Sequence, residues 1–92
     1  SRLVAAALAH SEDMRSHHFV AHVSPRTGGP ADRAKRAGVQ SARITENLAQ
    51  ASTPQLAHQG LMGSPGHRAN ILDPDVDHVG ISCVMAEPAT PG

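Results

Sequence analysis

Ser64-Pro65-Gly66-His67-Arg68-Ala69-Asn70-Ile71-Leu72 is the stretch on which the reading of this chain turns. Ser64 suits an N-cap, and Pro65 suits the first helical position, where a missing N–H costs nothing, so a helix starts here. His67 then falls in the first turn, beside the positive end of the helix dipole. That placement favours a neutral imidazole, able to take a proton or bind a metal. Upstream, Glu46 lies in Thr45-Glu46-Asn47-Leu48-Ala49, and His22 lies in Ala21-His22-Val23-Ser24-Pro25.

Working outward, Thr53 and Pro54 open a helix that runs to about Met62 and stops at Gly63. Residues 2 to about 18 form an Ala-rich helix with Leu3, Ala7 and Met14 on one side. Ser24-Pro25 and Gly28-Gly29-Pro30 mark the loop that follows, and Pro30 starts a short helix closed by Gly38. Residues 41 to 49 read as a short extended piece that delivers Glu46. The helix from Ser64 ends near Asp73-Pro74. Residues 78 to 85 alternate, with Val79, Ile81, Cys83 and Met85 on one side, and predict a half-buried strand on that face. Residues 1–86 read as a single domain, and 87–92, with two prolines, as a loose tail.

Composition narrows the function. The chain has 92 residues, with eight basic and eight acidic side chains that cancel. No basic stripe marks a nucleic-acid partner. No apolar run approaches the ~20 residues of a transmembrane helix. Cys83 is the single cysteine, so an internal disulfide is excluded. Phe19 is the single aromatic, which leaves the core to aliphatics such as Leu3, Val4, Leu8, Ile71, Leu72, Val79 and Ile81. A chain this short buries only about 60–65% of its unfolded surface, so a thin stability margin is expected. Histidine is the outlier at seven, where about two would be ordinary. His10, Met14, His17 and His18 recur at helical spacing and could form a metal face, although such a face is more often simply the polar side of a helix. His58 and His78 read as surface residues.

The three segments around His22, Glu46 and His67, in that order, resemble the CAP superfamily (SCP domain) in its compact bacterial form. Ala9-His10-Ser11-Glu12-Asp13-Met14, Phe19, Arg33, Gly38, Leu61-Met62 and Val79-Gly80-Ile81 extend the resemblance over nearly the whole chain. It implies an α+β fold: an α-β-α sandwich with a small antiparallel sheet between helical layers. It also implies a secreted or cell-envelope location and a cleft, lined by His22, Glu46 and His67, that often holds a divalent cation. Two imidazoles and a carboxylate suit Zn²⁺ best and leave a coordination position open. Asn47, Ser64, Arg68 and Asn70 are the expected supporting residues, with Ser64 engaged as a helix cap. Plant pathogenesis-related relatives carry a second glutamate before the last helix, where this chain reads Leu61-Met62-Gly63-Ser64-Pro65. The family's extra N-terminal helix and its aromatic final strand are also missing, and there is no leader or initiator Met, so the chain reads as truncated or as part of a longer one.

The expected function is binding, of a small ligand or a protein. One alternative is a metal-assisted hydrolase in which Glu46 serves as the base. The other is a structural or adhesive domain with a non-functional cleft. An unpaired strand edge at residues 78–85 predicts self-association.

Overall fold

The computed structural model describes residues 1–86; the expected tail, 87–92, lies outside them. Four helices appear in chain order: α1 (Arg2–His17), α2 (Pro30–Arg36), α3 (Pro54–Met62) and α4 (Pro65–Ile71). Their starts follow the local chemistry. Ser1 Oγ accepts from Val4 N–H at 3.1 Å and Thr53 Oγ1 from Leu56 N–H at 3.1 Å. Proline occupies the first position of α2, α3 and α4, where its fixed φ is already helical. At the head of α2, Asp32 Oδ2 accepts from Gly29 N–H at 2.9 Å. Gly28 has φ 80°, and a methyl group there would strike the Asp32 side chain, so this turn needs glycine.

The expected α-β-α sandwich is overturned. Among the described residues there is no strand and no sheet, only an isolated bridge between Ser24 and Gly28. A ladder requires a neighbouring backbone, and residues 78–86 lie instead along α1. Ser82 and Ser11 hydroxyls meet there at 2.6 Å. The alternation is present but the face is inverted: Gly80, Ser82 and Val84 are half-buried, whereas Val79, Ile81 and Met85 are 74%, 69% and 85% exposed and Cys83 is exposed too. The physical reason is the close approach to α1 at Gly80, where no side chain would fit against the Leu3 and Val4 backbone. Around Glu46 the expected extended piece has no ladder partner either, and side-chain hydrogen bonds hold it in place.

α1 packs on α2, and α3 packs on α4. The centre is polar rather than aliphatic. Buried positions among the described residues are Ala34, His10, Ser24 and Arg33, while Val4, Leu8, Ile71 and Leu72 stay substantially exposed. Burying a polar group is costly without a hydrogen bond, and most here have one, although His10 Nδ1 and Thr27 Oγ1 are buried without a partner among the described residues. His10 donates from Nε2–H to Ala21 O at 2.8 Å. Ser24 donates to Asp13 Oδ2 at 2.5 Å, and Arg26 Nε–H to Asp13 Oδ1 at 2.6 Å. Arg43 Nε–H likewise donates to Asp73 Oδ2 at 2.5 Å.

The two carboxylates make the fold acid-sensitive. The Ser24 hydroxyl, and then Arg26, hold Asp13 below its ordinary pKa. The Asp75 backbone N–H, and then Arg43, do the same for Asp73. A carboxylate with a depressed folded pKa adds stability above its unfolded pKa, about 3.9, and loses it as pH falls through the folded value. The melting temperature should therefore hold steady from neutral pH to about pH 5 as far as these two groups are concerned, and drop below about pH 4. Asp13→Asn should lower the neutral-pH melting temperature and flatten that drop. A wild-type acid limb unchanged by the substitution would remove Asp13 from the cause.

Candidate functional site

The site is built where the loop after α1, helix α2 and the segment before α3 meet. Helix α2 carries Arg33 and Ala34 on its inward side. Arg33, 5% exposed, reaches past the loop to bind both oxygens of Glu46, with Nη2 at 2.9 and 2.8 Å from Oε1 and Oε2. The same guanidinium donates to His22 O at 3.2 Å from Nη1 and 2.9 Å from Nη2. His22 in turn faces Glu46, Nδ1 to Oε1 at 2.9 Å. An ionised carboxylate only accepts, so the His22 proton sits on Nδ1 and the Nε2 lone pair points elsewhere. Half of the His22 side chain is exposed, against 19% for Glu46. This is the arrangement by which a carboxylate fixes the tautomer of a ligand-binding imidazole.

His67 is linked to this cluster through amides rather than directly. Asn70 Nδ2 donates to Asn47 Oδ1 at 2.9 Å and to Glu46 O at 3.4 Å, and Asn47 Nδ2 donates to His67 O at 2.9 Å. The segment at Glu46-Asn47 therefore fastens α2 to α4. The His67 ring faces Ser64, Nδ1 to Oγ at 3.0 Å. Ser64 holds the N-cap position, but its side chain makes no cap hydrogen bond, contrary to the expectation that the hydroxyl would be spent on the helix. Ser64 and His67 line an open groove of about 240 Å³ whose walls include Leu48, Leu56, Ala57 and Leu61. Arg68 is exposed near the end of α4 and makes no hydrogen bond to Glu46 or His22 among the described residues.

The structure thus brings His22 and Glu46 into contact and sets His67 in an adjoining groove. Among the described residues, no group of three or more His, Cys, Asp or Glu side chains converges as a metal would require. The histidine face expected on α1 separates as well. His10 turns inward, His17 pairs with Asp13 at 3.0 Å, and His18 closes the helix with φ 55°. Sequence reading quoted Arg33 without assigning it a role. The usable signal was a basic residue on the alanine-marked face of a short helix, facing the segment that carries Glu46.

Comparisons with known proteins agree on the kind of domain. The profile of the cysteine-rich secretory protein family (CAP) matches residues 1–90. The chain is 38% identical over 79 residues to the Bacillus subtilis (strain 168) uncharacterized protein YkwD, covering 85% of this chain and 31% of that protein. It is 34% identical over 76 residues to the uncharacterized membrane protein YlbC of the same organism, covering 82% of this chain and 22% of that one. The chain therefore spans less than a third of these relatives. No solved structure matches it. Among the described residues, no helix is long and apolar enough to cross a membrane.

Proposed function

We propose, on the premise that this chain belongs to the CAP (cysteine-rich secretory protein) family, that it is a secreted or cell-envelope domain acting by binding through the His22 cleft. The observation that carries this reading is the His22–Glu46–Arg33 cluster, which aligns an exposed imidazole and leaves its Nε2 free. The cleft's donor set fits a divalent cation only in part. Both Glu46 oxygens are held by N–H donors, and Arg33 offsets the carboxylate charge, so Glu46 orients His22 instead of serving as a ligand. A cation such as Zn²⁺ would be taken by the imidazoles of His22 and His67. The same engagement of Glu46 counts against a hydrolytic role, because both its oxygens already accept from Arg33 and one also faces His22, so neither is turned to an incoming water.

Isothermal titration with Zn²⁺ tests the reading. His22→Ala and His67→Ala should each abolish binding, while Glu46→Gln should weaken it by about 10- to 100-fold, as loss of an outer partner does. Zn²⁺ binding that survives His22→Ala would sink the cleft.

We also propose that the exposed row of Val79, Ile81, Cys83 and Met85 supports self-association, since it presents four neighbouring apolar side chains to solvent. Light scattering should give a concentration-dependent mass for the wild type and a monomer for Ile81→Lys. A monomer in both would discard the idea.

A further inference from the structure

We infer that the cavity between α1 and α2 binds a small aliphatic hydroxycarboxylate, with its hydroxyl turned to His10 and Thr27 and its carboxylate to Arg36. The site is separate from the His22 cleft and requires no cation. Two buried side-chain polar atoms lack a partner among the described residues, His10 Nδ1 and Thr27 Oγ1. Both belong to residues that line this one cavity. His10 is 2% exposed and its Nε2–H donates to Ala21 O at 2.8 Å, so in the neutral ring Nδ1 is a bare acceptor. An acceptor left unpaired in the interior costs free energy, which an incoming O–H recovers. Thr27 Oγ1 can donate or accept, and offers a second partner from the loop between the two helices.

The walls set the rest of the ligand. Ala5, Ala6 and Ala9 of α1 leave room for a short aliphatic body and give its carbons an apolar surface. A volume of about 280 Å³ lies just below the range of pockets for drug-sized ligands. His10 Nδ1 and Thr27 Oγ1 are screened from bulk solvent, so a small hydroxyl is what can be drawn in against them.

The charge at the cavity comes from two arginines. Arg33 is committed to Glu46 and to the His22 carbonyl. Arg36 is exposed, its Nη1–H donates to Thr27 O at 3.1 Å, and no carboxylate pairs with it among the described residues. Its guanidinium therefore keeps donors for a carboxylate on the solvent side. A plain alcohol would leave that charge unused, and a plain carboxylate would leave His10 Nδ1 unpaired. One ligand must carry both groups.

NMR titration of the whole chain with 3-hydroxybutyrate, in excess EDTA, tests the site. The His10 Nδ1 resonance should shift saturably while Nε2 keeps its proton. Butyrate lacks the hydroxyl and 2-butanol lacks the carboxylate, so each should bind about 10-fold more weakly or worse, the scale of one lost polar contact. Arg36→Gln should abolish the advantage of 3-hydroxybutyrate over 2-butanol. Thr27→Val, which keeps the side chain's shape, should shrink its advantage over butyrate. His22→Ala should bind as the wild type does, so failure of the cleft reading would leave this one standing. Equal affinity for 3-hydroxybutyrate and butyrate would overturn the inference. A His10 Nδ1 resonance that none of the three compounds moves would overturn it too, and would leave the two atoms to a buried water.

Discussion

Arg33→Met should be the most damaging single substitution in this domain, lowering stability by about 3 kcal/mol or more. Arg33 is 5% exposed and spans two structural units: it binds both oxygens of Glu46 and the carbonyl of His22. Methionine fills much of the same volume but donates nothing. The substitution leaves a carboxylate that is only 19% exposed with His22 as its side-chain partner, and strands a backbone carbonyl. Removing one member of a buried pair costs more than the pair contributes, because the remaining charge stays desolvated. For a domain of this size, ~3 kcal/mol corresponds to a fall of roughly 12–24 °C in melting temperature. Total stability for a chain this short is of the order of 5–10 kcal/mol, so a large fraction is lost. Adding Glu46→Gln to Arg33→Met should restore part of the loss, since the orphaned charge is then gone. Thermal melts of the two single variants and the double one check this. Additive effects, with no rescue, would mean that Glu46 is solvated well enough not to need Arg33.

That dependence on one guanidinium explains which parts of the architecture could be read in advance. All four helices were legible, because Thr53 and the prolines at 30, 54 and 65 are local signals that act within one turn, and the alanine-rich run after Ser1 has high helix propensity. His22 and Glu46 were legible as partners only through family resemblance. Their contact spans 24 positions and depends on Arg33, whose role nothing in its immediate neighbours states. The family profile and two relatives bear out the resemblance itself. The sheet was not legible correctly. Alternation along residues 78–85 reports that two faces differ, but it does not say which one a neighbour covers. Val79 and Ile81 suggested the apolar face by hydropathy, while it is Gly80 and Ser82 that approach α1. Ser64 failed for a similar reason. A serine before a proline-led helix signals a cap position, and the side chain still chose the imidazole three residues on.

Gly80→Ala should then have the second-largest effect, although it adds a single methyl group. A Cβ at Gly80 would run into the carbonyl carbon of Leu3 and come within 2.5 Å of Leu3 Cβ and Val4 N. Two of these three atoms are α1 backbone, so no side-chain rotation relieves the overlap and one segment must shift. Overpacking of this kind costs about 1–3 kcal/mol, or roughly 4–24 °C for a domain of this size. The segment 78–86 is the part able to yield, because it has no ladder to hold it among the described residues and its main polar tie to α1 is the Ser11–Ser82 hydroxyl pair at 2.6 Å. Separation at Gly80 would pull that pair apart. Amide exchange in residues 79–85 should speed up, and limited proteolysis should cut there first, while α3 and α4 keep their protection. Ile81→Ala is the matched control: Ile81 is 69% exposed, so trimming it should change stability by less than about 0.5 kcal/mol. If Gly80→Ala melted with the wild type while Ile81→Ala fell by several degrees, residues 78–85 would be held through the apolar face after all, and the close approach to α1 would not be what orients them.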